Sequence, residues 1–132
     1  MTGTFQNTVI VLMGCNGLKQ GYLETAQAFE DKGAKVFIGW DGWISPSDND
    51  YGTTLLLQYL INENDTVSTA TGKIPPFFSP DFGSASLQYY PQSPEVGSYR
   101  IPDYTEHDAS QHDALMILTF FGKTKKPEYN RC

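Results

Sequence analysis

Cys15 lies in the turn Gly14-Cys15-Asn16-Gly17, directly after the apolar run Val9-Ile-Val-Leu-Met13. A thiol on a glycine turn between a strand and a helix is well placed for a nucleophile, because glycines let a substrate approach the backbone and nearby amides can hold an oxyanion. The same position also suits a small buried apolar side chain, a common role for cysteine. A second cluster, Trp40-Asp41-Gly42-Trp43, ends the run Ala34-Lys-Val-Phe-Ile-Gly39. In an open parallel sheet, ligands bind beyond the carboxyl ends of the strands. Neighbouring strands lie about 4.8 Å apart, so Cys15 and Asp41 are expected at one sheet edge, within about 10 Å of each other and sharing a cleft. Asp41 before Gly42 also has the residue type of a simple turn.

A thiol of pKa about 8.5 is only slightly ionised at neutral pH and needs a base or a positive neighbour to react. No histidine precedes Cys15; the chain's His107 and His112 lie in Glu106-His107-Asp108-Ala-Ser-Gln-His112-Asp113. Their spacing suits neither one helix face nor one strand face. The segment is therefore read as a solvated polar loop. A metal site with Glu106, Asp108 and Asp113 is the alternative, as is a base folded back onto Cys15. Asp48-Asn49-Asp50 resembles an oxygen-ligand run, but it opens a helix, where acidic residues suit the dipole, and it lacks the glycine and distal glutamate of a calcium loop. No metal or cofactor is expected.

The elements that position these residues are clear in the first half. The runs Val9–Met13 and Ala34–Gly39 are continuous and β-rich, as in strands covered on both faces. Between them, Tyr22, Leu23, Ala26 and Phe29 give a helical face from about Gln20 to Lys32, with Gly33 as its stop. Ser45-Pro46-Ser47-Asp48 opens a second helix running to about Asn62, with Ser47 or Asp48 as N-cap. Strand, helix, strand and helix with short links make a βαβ unit with parallel neighbouring strands.

The second half is less regular. A short helix is expected over 66–71 and an irregular, proline-rich stretch over 72–80. Leu87–Tyr90 and Ser98–Ile101 are expected as strands of a wide-turned hairpin, and Ala114–Phe121 as a last strand. Residues from Gly122 onward look like a tail. The final strand is apolar on both faces and must be buried, either within its own sheet or, as expected here, between chains. The aromatics Phe77, Phe78, Phe82, Tyr89, Tyr90 and Tyr99 are expected to pack a β-layer onto the sheet, with a stacking surface for peptide or sugar as the alternative.

The 132 residues suit one domain, and the net charge of −6 with no basic cluster argues against nucleic acid or an anionic membrane as main partner. The longest apolar run is far shorter than the roughly 18 residues of a membrane span, and no signal peptide is visible. The abundance of Tyr, Ser, Thr, Asn and Gly, with few Lys, has a secreted flavour. Asn64-Asp65-Thr66 matches a glycosylation sequon. Two cysteines are too few for a disulfide scaffold or a four-cysteine zinc site.

The stretch Val9-Ile-Val-Leu-Met-Gly-Cys-Asn-Gly-Leu18, followed by Ala28-Phe29 and by Lys32-Gly-Ala-Lys-Val-Phe-Ile-Gly-Trp-Asp-Gly42, resembles the C-terminal half of caspase-fold cysteine peptidases. The clostripain, gingipain and CHAT-type branches and archaeal proteins of that kind look closest. The leucine-rich helix, Asp81-Phe-Gly-Ser, Leu87-Gln-Tyr-Tyr-Pro91 and Gly97-Ser-Tyr-Arg-Ile-Pro102 extend the likeness to about residue 102; it is absent beyond.

The resemblance implies an α/β fold: a partial caspase-like parallel sheet with a βαβ core and an added β-rich C-terminal part. It divides the chain into a half-domain over 1–102 and a polar segment, final strand and tail over 103–132. It places Cys15 as nucleophile with Gly14 before it, and Trp40 and Asp41 at the substrate pocket, where a carboxylate favours Arg or Lys before the scissile bond. The family takes its catalytic histidine from an upstream strand, which this chain lacks. The expected function is accordingly a non-catalytic or incomplete module that associates with itself or with a missing N-terminal half, as a structural assembly subunit at the cell surface or outside the cell. The alternative is a hydrolase, a cysteine endopeptidase using a histidine supplied from elsewhere.

Overall fold

The computed structural model describes residues 8–21, 23–101 and 114–119. Two apolar strands form its centre: β1 (Thr8–Met13) and β2 (Ala34–Trp40). They pair in parallel, with Val9 opposite Val36, Ile10 opposite Phe37 and Val11 opposite Ile38. The register slips between Thr8 and Val9, and the extra residue on β2 turns Ala34 away from the face that carries Val36 and Ile38.

The crossover is α1 (Glu24–Asp31), shorter than its pattern suggests. Residues 15–18 form turns, and Gly21 at φ 93° marks a backbone that a helix cannot continue. Gly33 at φ 97° ends the helix as expected. The next helix, α2 (Pro46–Leu57), is capped by Ser45, whose hydroxyl accepts the Asp48 N–H at 3.2 Å, and not by Ser47 or Asp48. Pro46 occupies the first helical position, where a missing N–H is no loss. A π-helical turn, Gln58–Asn62, extends the helix. Thr66 then caps α3 (Val67–Lys73).

Three findings in the second half differ from expectation. The proline-rich stretch contains a strand, β3 (Phe77–Ser79), which pairs antiparallel with β4 (Gly83–Ala85) as a separate two-stranded sheet. The strand β5 (Leu87–Tyr90) forms, but its partner is β2, antiparallel. Ser98–Ile101 is not a strand, because Ser93 caps a single helical turn, α4 (Pro94–Gly97), and the chain beyond it runs irregularly, its Tyr99 carbonyl accepting the Val67 N–H.

The last strand, β6 (Ala114–Thr119), pairs in parallel with β1 along its whole length. The sheet order is therefore β5-β2-β1-β6: mixed, with three parallel strands and one antiparallel edge. The strand expected to be buried between chains pairs within this chain's own sheet, as its edge strand. Residues 103–113 with both histidines, and the tail from Gly122, lie outside the described residues.

Strand alternation splits the core. Val9, Val11, Val36, Ile38 and Trp40 pack with Ile44, Leu56 and Leu60 of the α2 region, Val67, Ala70 and Val96. Ile10 and Phe37 pack on the opposite face with Leu18, Ala26 and Ala34. Among the described residues, no helix is long and apolar enough to cross a membrane.

Candidate functional site at the strand ends

Parallel pairing brings the carboxyl ends of β1 and β2 together, and hydrogen bonds join the loops that follow. The Leu18 N–H donates to the Trp40 carbonyl at 2.9 Å, and the Asn16 N–H to the Gly42 carbonyl at 3.0 Å. Gly17 packs closely on the sheet. A Cβ there would lie 2.8 Å from Leu12 Cδ2, and its Cα sits against Gly39, so the loop packs on the strand through two glycines.

Cys15 is half-buried and packs against the larger core cluster. Its sulfur accepts the Ile44 N–H at 3.1 Å and lies 3.3 Å from the Ile44 carbonyl oxygen. Among the described residues no cysteine is free: Cys15 is disulfide-bonded. A disulfide sulfur carries no proton and attacks no carbonyl, so Cys15 is a nucleophile only after reduction. Gly14 before it is buried.

Asp41 takes a different course. Its backbone N–H donates to the Ser86 carbonyl at 3.0 Å, Oδ1 accepts the Ser86 N–H at 2.8 Å, and Oδ2 accepts from Gln88 Nε2 at 3.2 Å. The carboxylate thus clamps the start of β5 to the end of β2. It also lines a cleft of about 570 Å³ whose other walls include Leu18, Leu23, Gln88, Tyr90 and Gln92. Cys15, Gly14 and Trp40 are not on those walls.

Trp40, expected at a substrate pocket, is 0% exposed. Its Nε1 donates to Asn49 Oδ1 at 2.9 Å, and Phe77 meets its ring edge-on at 5.6 Å. Asn49 Oδ1 also accepts from Thr53 Oγ1 at 3.2 Å. Indole is a donor only, so the amide's orientation is fixed by Trp40. Asn49 Nδ2 and Trp43 Nε1 are buried without a hydrogen-bond partner. Asn49 therefore serves the core and was missed as such from sequence. Its signal was its spacing: Asn49, Thr53, Leu56 and Leu60 fall on one helical stripe.

The aromatics divide. Phe77, Tyr89 and Tyr99 pack against the core. Phe78 and Phe82 are exposed, with Phe82 stacked on Trp43 at 4.9 Å. Among the described residues, no three His, Cys, Asp or Glu side chains gather as a metal site.

No family model matches the chain. No solved structure matches it. Over 84 residues the chain is 27% identical to the capsid protein VP1 of Norovirus (strain Human/NoV/United States/Norwalk/1968/GI), a similarity covering 60% of this chain and 16% of that protein.

Proposed function

We propose that this chain is a caspase-like module that does not itself hydrolyse peptides and acts by association, with copies of itself or with a partner chain, as a subunit of an assembly outside the cell. One observation carries the reading. The Cys15 sulfur is held in a disulfide and against the Ile44 N–H, and the described cleft is walled by Asp41 without Cys15. The parallel β1–β2 pair with its helical crossover is compatible with a caspase-like core. Similarity to a protein named for a capsid supports the assembly side of the reading.

A second reading, a cysteine endopeptidase with a histidine supplied from elsewhere, is favoured by the Asp41 carboxylate on the cleft wall, which suits an Arg or Lys side chain. Iodoacetamide labelling, with and without prior reduction, separates the two. Cys15 should resist labelling until reduced and then react no faster than a free model thiol, with assemblies visible by light scattering. Hydrolysis of Arg or Lys peptides by the reduced protein, lost in Cys15→Ala, would replace the first reading by the second. A chain that stays monomeric at every concentration and binds no partner would end the assembly reading.

A further inference from the structure

We propose that Asn64 carries an N-linked oligosaccharide. Asn64 stands in Asn64-Asp65-Thr66, on the turn between the π-helical end of α2 and the start of α3. Its backbone is left-handed, φ 51°, and its carbonyl accepts from Arg100 Nη1, which fixes the turn from the backbone side. The side chain is exposed, and its carboxamide engages no partner among the described residues. A glycan there displaces no packing. The neighbouring surface also has something to gain, since Ile61 is 52% exposed three residues earlier and a bulky polar chain would cover it.

A left-handed turn alone would select Asn for its conformation. The second, independent observation is Cys15. A disulfide-bonded cysteine marks a chain that matures in an oxidising compartment, where N-glycans are also added. In the transfer step, Asn64 Nδ2 attacks the anomeric carbon of a lipid-phosphate-linked oligosaccharide, presented by a membrane transferase. The N–C bond forms as the bond from that carbon to phosphate oxygen breaks. The lipid phosphate leaves with the electron pair, and one amide proton passes to a base of the transferase. In the folded chain the Thr66 hydroxyl already accepts the Thr69 N–H at 3.2 Å and donates to Thr69 Oγ1 at 2.9 Å. A transferase that reads this hydroxyl must therefore act before α3 is capped.

The test is peptide mapping by mass spectrometry of the protein from its native cells, and of the full chain secreted from a glycosylating host, before and after amide-cleaving deglycosylation. Asn64 should appear as sugar-bearing peptide and be converted to aspartate on release of the glycan. Thr66→Ser keeps both the sequon and the cap and should retain the glycoforms. Thr66→Asp keeps the cap and breaks the sequon, and should lose them entirely. Asn64→Asp keeps a residue at ease in a left-handed turn and should lose them as well, so a failure of either variant to fold leaves the other decisive. An unmodified Asn64 in protein that has been secreted with Cys15 oxidised would overturn the proposal and leave Asn64 as a turn residue.

Discussion

The two faces of the sheet are built differently. Towards α2, α3 and α4, Trp40, Ile38, Val36, Val11 and Val9 meet a thick layer that includes Ile44, Leu56, Leu60, Val67 and Val96. Towards α1, among the described residues, Ile10, Leu18, Ala26, Ala34 and Phe37 are buried, with Leu12, Leu23, Phe29 and Tyr90 half-covered. The cleft opens on this thinner side, between Leu18, Leu23 and Tyr90. Stability is thus concentrated on one face and accessible surface on the other. Cys15 belongs to the thick face and Asp41 to the wall of the thin one. The two share a sheet edge, and of the two the described cleft takes in only Asp41.

This contrast can be broken by substitution on each side. Trp40→Ala should have the largest effect, about 3–5 kcal/mol lost in chemical denaturation, because it empties a buried ring's volume. It also strands Asn49 Oδ1, which would keep only Thr53 as donor. Gly52→Ala presses on the same ring from α2. A Cβ at position 52 would sit 2.7 Å from Trp40 Cζ2, and neither the helix backbone nor a buried indole yields easily. The expected loss is about 1–3 kcal/mol, and it should shrink in a background where Trp40 is replaced by a smaller ring. Leu23→Ala, on the thin face, should cost about 1 kcal/mol, below the roughly 2–5 kcal/mol of a fully buried leucine. It should also widen the cleft, measurable as increased binding of an apolar fluorescent probe. A Leu23→Ala loss equal to that of Trp40→Ala would erase the distinction between the faces.

Much of the first half was legible because its strands and helices announce themselves locally. Val9–Met13 and Ala34–Trp40 are short, β-branched apolar runs of the kind a doubly covered strand needs, and Gly33 marks the helix stop by its required backbone conformation. The Ser45 cap carried a signal that was passed over, since Pro46 is at home in the first helical position and Ser45 is the residue before it; the neighbouring Ser47 and Asp48, of equally suitable type, obscured it. Ser98–Ile101 alternates like a strand, but the Ser93 cap and Pro94, a few residues earlier in the chain, start a helical turn that runs into it. The site was the least legible part. Trp40 and Asp41 look like one corner in the sequence, yet strand alternation sends consecutive side chains to opposite faces: Trp40 into the thick core, Asp41 to the cleft. The clamp from Asp41 to Ser86 and Gln88 joins residues more than forty positions apart, and no local pattern encodes it.

The position of β6 has a consequence for synthesis. β1 is an inner strand of the sheet, flanked by β2 on one side and β6 on the other. Its first neighbour follows it closely in the chain, but its second begins only at Ala114. At about 5–20 residues per second, a ribosome leaves that side of β1 without its strand for several seconds after β2 has emerged. During this interval the open backbone of Thr8–Met13 is a template for any strand that arrives, including the Ala114–Thr119 segment of a neighbouring nascent chain. Crowding on a polysome would favour exchange of that strand between copies, whereas slow, dilute synthesis would favour closure within one chain.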